Sequence, residues 1–291
     1  MKSILFFGLV LCCGLFSCQQ FVELDISTDP QMGITCFLSP DDSLATVSIY
    51  ATQRVGQPIP SDPNEQVVAD AKVRIRKLAT DDSLILAFDP TSLTYLAPVF
   101  ADFFEAGATY LLEVSHPDFP DAIGSCRLPE APQGLVVELD SVGEGFLKDY
   151  FVQLSWTAPP EDSTYFRVIG RVGGPRRVSD PYPIRWEGDL PDMDYLLLPI
   201  AQEGQLQSPL GNLQALDREI SGRVAGPLPG DSLTIDLLQV SKSYYHFQSD
   251  LRNARGSDPT VSEPYLIYSN LEGAIGVFAM YQRVRQQIRI R

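Results

Sequence analysis

A mainly β protein is what this sequence predicts: an N-terminal immunoglobulin-like β-sandwich, then a second, larger β domain with one amphipathic helix. Three observations lead there. Short runs alternate apolar and polar residues with a period of two, the pattern of strands with one buried face. The 23 prolines and 21 glycines cluster with Asp and Ser between those runs, which leaves little room for long helices. A single segment, Ser241 to Arg255, changes to helical spacing, with Tyr244, Phe247, Leu251 and Ala254 on one face.

The elements follow in chain order. Lys2 gives a positive start, and Ile4 to Leu11 is an apolar run too short to span a bilayer. Leu15-Phe16-Ser17-Cys18 then has the layout of a bacterial lipoprotein cleavage site. The expectation is a signal peptide over 1–17, acylation of Cys18 and a tether over 18–24. Cys12 and Cys13 lie inside the apolar run and are poorer acceptors. The competing reading is an ordinary secretory signal, favoured by the bulk of Phe16. Several acyl chains on one cysteine would anchor the chain stably, at about 0.8 kcal/mol per buried methylene. The expected address is the cell envelope, lipid-anchored to the outer membrane, with either face open.

The first domain is expected over 25–132. Thr46 to Tyr50 alternates, Val73 and Ile75 point one way from Arg74 and Arg76, and Tyr110, Leu112 and Val114 share a face. Ser39-Pro40-Asp41-Asp42 is a turn, with Pro fixing φ and Asp able to bond the backbone. Two prolines and a glycine between Leu128 and Gly134 mark the boundary. The second domain is expected over 133–291. Its strands carry Val152, Leu154 and Trp156, then Phe166 and Val168, then Leu233, Ile235 and Leu237. A Pro-rich insertion occupies 171–230, and a helix is predicted over 241–255, capped by Ser241 or Ser243 and stopped by Gly256. No repeat of fixed period is visible.

Composition narrows the function classes. The net charge of −15 argues against nucleic-acid binding, which draws its affinity from clustered Lys and Arg. It also disfavours docking on anionic lipid, so attachment falls to the acyl anchor. If Cys18 is acylated, Cys36 and Cys126 remain as an even pair. They either bridge the first and last strands of the first domain in an oxidising compartment or pack as two small buried thiols.

Candidate chemistry is sparse. His116 and His246 lack metal-ligand spacing, and no nucleophile elbow or phosphate-cradling loop occurs. No cofactor is expected, and no catalytic set is visible. Asp189, Asp192 and Asp194 crowd one loop, either as oxygen ligands for calcium or as a solvated acidic loop. Arg283, Arg285, Arg289 and Arg291 share one strand face, opposite Val284, Ile288 and Ile290. That basic stripe either meets an acidic partner through bidentate contacts or pairs with neighbouring carboxylates. Tyr182, Trp186 and Tyr195 lie in the insertion and are candidates for a ligand platform, aromatic core being the alternative.

Several pieces, in order, resemble one family of Bacteroidota lipoproteins. They are Leu38 to Leu44 with Val47-Ser48-Ile49, Val68 to Ile75, and Gly107 to Val114. The strongest are the Tyr-Tyr-containing stretch Ser241 to Leu251 and the run from Pro264 through Asn270 to Phe278. The family is the domain of unknown function 4249. The insertion from Arg171 to Gly230 does not match its pattern well. The resemblance implies an outer-membrane lipoprotein, often paired with a TonB-dependent transporter, and carries over no catalytic residues. The expected function is therefore non-enzymatic: an accessory or ligand-capture partner of such a transporter, acting on a small ligand or peptide. A structural or adhesive surface module is the alternative, and a hydrolase using paired carboxylates is a third reading.

Overall fold

The computed structural model describes residues 29–53, 62–100, 102–143, 149–158, 164–174, 182–186, 195–200, 204–209, 211–212, 230–256 and 266–290. The architecture is mainly β. The N-terminal strands are β1 (Met32–Leu38), β2 (Leu44–Ala51), β3 (Lys72–Lys77), β4 (Ser83–Asp89), β5 (Thr94–Pro98), β6 (Thr109–His116) and β7 (Phe119–Arg127). Then come β8 (Gln133–Val142), β9 (Asp149–Ala158), β10 (Thr164–Gly173), β11 (Tyr182–Pro183), β12 (Arg185–Trp186), β13 (Tyr195–Ile200), β14 (Gly204–Gln207) and β15 (Gly211–Asn212). The chain closes with β16 (Ser232–Val240), helix α1 (Lys242–Gly256), β17 (Leu271–Glu272) and β18 (Ile275–Arg289). The alternating segments of the sequence are strands, and the helical spacing is α1, one residue later than expected at each end.

Two sheets hold these strands. The larger runs β11-β10-β16-β18-β1-β2-β5-β4-β3-β6-β7-β17, with β13 also on β10; the smaller is β12-β15-β9-β14, with β8 on β9. The expected immunoglobulin-like sandwich would place the N-terminal strands in two separate sheets. Instead β1 to β7 are linked through one continuous sheet. Its inward residues, among them Ile34, Ile49, Ile75, Tyr95 and Leu112, still meet in a shared core. The same sheet also holds strands from after residue 132: β10, β11, β13, β16, β17 and β18. Strand β18, from the far end of the chain, pairs with β1 in parallel, from Gly33 opposite Ile275 to Leu38 opposite Met280.

That pairing joins two cores along one strand. Phe278 and Met280 belong to the N-terminal core, whereas Ile290, the residue that follows β18, belongs to the second. The second core packs Val152, Leu154 and Trp156 of the small sheet against Phe166, Val168, Leu233 and Ile235 of the large one. Val277 and Ala279, on the opposite face of β18 from Phe278, pack under α1 with Leu238, Val240 and Tyr244. The parallel join demands a glycine. Gly276 sits at φ +120°, and a Cβ there would lie 2.0 Å from the Ile34 carbonyl oxygen.

Candidate functional site

Beside the start of α1, a groove of about 430 Å³ opens among the end of β7, the start of β10 and the end of β16. Strand β7 supplies Cys126, β10 supplies Tyr165, and β16 supplies Gln239. The first turn of α1 adds Lys242 and Ser243, and the segment before β17 adds Tyr268 and Asn270.

Hydroxyl groups fix the helix to the sheet. The Ser241 Oγ accepts from the Tyr244 N–H at 3.3 Å, capping α1, and from the Met280 N–H at 3.2 Å. The Ser243 hydroxyl donates to the Phe278 carbonyl at 3.0 Å. Its oxygen is 3.1 Å from Ser241 Oγ, so it accepts the remaining Ser241 proton. Asn270 does the work of a missing strand. Its Nδ2 donates to the Ser125 and Phe278 carbonyls at 3.1 and 2.8 Å, and its Oδ1 accepts from the Phe278 N–H at 3.0 Å. The Tyr268 N–H donates to Asp250 Oδ2 at 2.8 Å, tying this segment to α1.

Two aromatic residues, Tyr165 and Tyr268, line the groove. Behind them, Tyr165 stacks on Tyr245 with centroids 4.6 Å apart, and Tyr268 lies 5.4 Å from His246. The thiol of Cys126 lies 3.7 Å from Ser243 Oγ, and burial raises its pKa, so it stays protonated. Gln239 is 1% exposed, and its Oε1 has no hydrogen-bond partner. Among the described residues no Asp or Glu lines this groove. A second groove, of about 520 Å³, lies between β8–β9 and the end of β18, with Tyr150, Asp140 and Arg289 in its walls.

Of the candidate site residues from sequence whose side chains are described, only Cys126 lines the first groove. Cys18 lies outside the described residues, as do Asp189, Asp192, Asp194 and Arg291. Cys36 and Cys126 are free, buried thiols, so the possible bridge between them is not formed in this structure. Burial, then the neighbouring Cys126, pushes the Cys36 thiol well up. Arg285 makes a bidentate pair with the buried Asp236, at 2.6 and 2.9 Å, and Arg283 lies 3.5 Å from Asp41. Two arginines of the stripe thus meet carboxylates of their own chain, while Arg289 is exposed.

The aromatic platform is divided. Only the backbones of Tyr182 and Trp186 are described, in β11 of the large sheet and β12 of the small one. Tyr195 is buried, the packed one of its two readings. It is covered because β13 pairs with β10 beside α1. The Arg167 guanidinium sits 3.9 Å above its ring, and its hydroxyl donates to Gln248 on α1 at 3.2 Å. His116 accepts the Asp118 N–H on Nδ1 and faces Asp70 through Nε2 at 2.8 Å, a turn-fixing arrangement. No cluster of three His, Cys, Asp or Glu suited to a metal occurs among the described residues.

Sequence reading missed Gln239, Ser243, Tyr268 and Asn270 as one site. For Ser243, Tyr268 and Asn270 the signal lay in the Ser241–Leu251 and Pro264–Asn270 segments, which carry the strongest family resemblance. A family model described as domain of unknown function (DUF4249) matches residues 20–287. The chain belongs to the DUF4249 family. The match takes in every residue lining the first groove of this DUF4249 protein, from Ser125 to Asn270. Comparison with curated proteins finds no match. Among solved structures, Salmonella alpha-2-macroglobulin reacted with methylamine is similar at 8% identity, with a TM-score of 0.26. The similarity covers 90% of the DUF4249 chain and 15% of that much longer one, too loosely to say anything of fold or function.

Proposed function

We propose that this DUF4249 protein is a non-enzymatic, lipid-anchored lipoprotein of the outer membrane that captures a small ligand or peptide for a TonB-dependent transporter. The anchor is Cys18, and the contact surfaces are the groove at the start of α1 and the 171–230 insertion. The observation that carries the capture reading is the groove itself, polar, aromatic-walled and containing a buried amide oxygen without a donor. The cleavage-site layout around Cys18 supports the address, and the family resemblance supports the transporter.

The test is a mild-detergent pull-down of tagged full-length protein from native outer membranes, with mass spectrometry of the eluate. A stoichiometric β-barrel transporter is the expected companion. Recovery of the lipoprotein alone, in a detergent that keeps known complexes intact, replaces this reading with a structural or adhesive one. A Cys18→Ala variant is expected to leave the membrane fraction. Deletion of 174–229 is expected to weaken transporter or ligand binding, and full retention of both removes the insertion from the contact surface.

A further inference from the structure

We infer that the groove at the start of α1 is a binding site for a small organic anion, specifically a carboxylate with an N–H or O–H donor beside it. The inference rests on the capture reading above and gives it a ligand class.

The anion half comes from the helix. α1 has 15 residues, long enough for its aligned peptide dipoles to leave partial positive charge at the first turn. Acidic side chains commonly offset that charge, but the first turn of α1 has none. It has Lys242 instead, exposed and lining the groove. Ser241 caps the Tyr244 amide, whereas the Lys242 and Ser243 amides have no partner among the described residues. On a chain of net charge −15, a groove without a lining carboxylate is a local exception.

The donor half comes from a separate observation. Gln239 belongs to β16, not to α1, and is almost wholly buried. Its Oε1 accepts nothing, which is costly in a folded protein and is relieved by a ligand N–H or O–H. The carboxylate and donor therefore address two different elements that meet at one groove. Tyr165 and Tyr268 also line the groove and supply aromatic surface for the body of the ligand. A peptide C-terminus and a hydroxy acid both have this chemistry.

The experiment is titration calorimetry of full-length protein in mild detergent with tri-alanine, its C-terminal amide, gluconate and maltotriose. At least one of the two carboxylates is expected to bind, with maltotriose failing to. If tri-alanine binds, amidation is expected to weaken it about tenfold or more. Lys242→Glu is expected to abolish binding while leaving the urea midpoint unchanged or raised, because an acid at that position favours the helix. Gln239→Leu is expected to weaken binding about tenfold without loss of stability. Equal affinity for tri-alanine and its amide, no binding of either carboxylate at about 5 mM, or full binding by Lys242→Glu overturns the site. The pull-down separates this from the capture reading. A co-purifying transporter with no carboxylate binding overturns the anion site alone. Carboxylate binding with no transporter supports the site and overturns the partnership.

Discussion

The two halves of β18 are one strand in two environments. From Val277 to Met280 both faces are buried, Phe278 and Met280 against the N-terminal core, Val277 and Ala279 beneath α1. From Arg283 onward one face is solvated, and Arg, Gln and apolar residues alternate. The first half carries no charge and the second carries Arg283, Arg285 and Arg289. The difference follows from neighbours, not from strand geometry. Beside β1 and under a helix, every side chain has a packing partner, so a polar residue would need a buried partner of its own. Beside β16 alone, the outer face is wet, and long cations are tolerated there. The candidate groove lies beside the first half, where Ser241 and Ser243 bond its backbone.

The comparison can be broken most severely at the join. Gly276→Ala places a methyl against the Ile34 carbonyl in a backbone conformation closed to alanine. Loss of cooperative folding, or destabilisation on the order of 4 kcal/mol, is expected from urea denaturation. Phe278→Ala, in the fully buried half, is expected to cost about 3 to 5 kcal/mol, against roughly 1 for Ile288→Ala in the half-wet region. Equal losses at the two positions would show that the halves do not differ in packing.

Smaller changes sharpen the contrast. Arg285→Ala leaves the buried Asp236 carboxylate without its bidentate partner. A cost of about 1 to 2 kcal/mol is expected, held down by the exposure of the arginine, and Arg285→Ala/Asp236→Asn is expected to recover part of it. At the boundary between the halves, burial and then the nearby Asp42 carboxylate push the Tyr281 hydroxyl up to about 12. The unfolded chain ionises near 10. Stability is therefore whole below pH 10 and falls as the pH rises from 10 toward 12, because only the unfolded state releases that proton. Tyr281→Phe is expected to shallow this alkaline loss in urea midpoints measured across that window.

Much of this was legible from residue order because it is local. Period-two alternation gave the strands carrying Val73, Tyr110, Val152 and Leu233, and the spacing of Tyr244, Phe247 and Leu251 gave α1 with Ser241 at its cap. The alternation of Arg283, Arg285 and Arg289 gave their shared face. It did not give the partner of Arg285, which depends on the register of Asp236 across from it. Tyr195 reads the same whether it lies on a loop or under a helix, and only the pairing of β13 with β10 buries it. Gln239 is one of several polar residues in β16, with nothing in its neighbours to announce a missing donor.

The sequence by itself determined the mainly β class, most element positions, the single helix and the family, since these rest on periodicity, turn chemistry and short ordered motifs. The tertiary structure decided which distant segments meet: β1 beside β18, Asp236 beside Arg285, and Gln239 beside Lys242 and Tyr268. Such contacts are set by the joint packing of two cores on one sheet, and residues far apart in the chain have no local pattern that fixes their register.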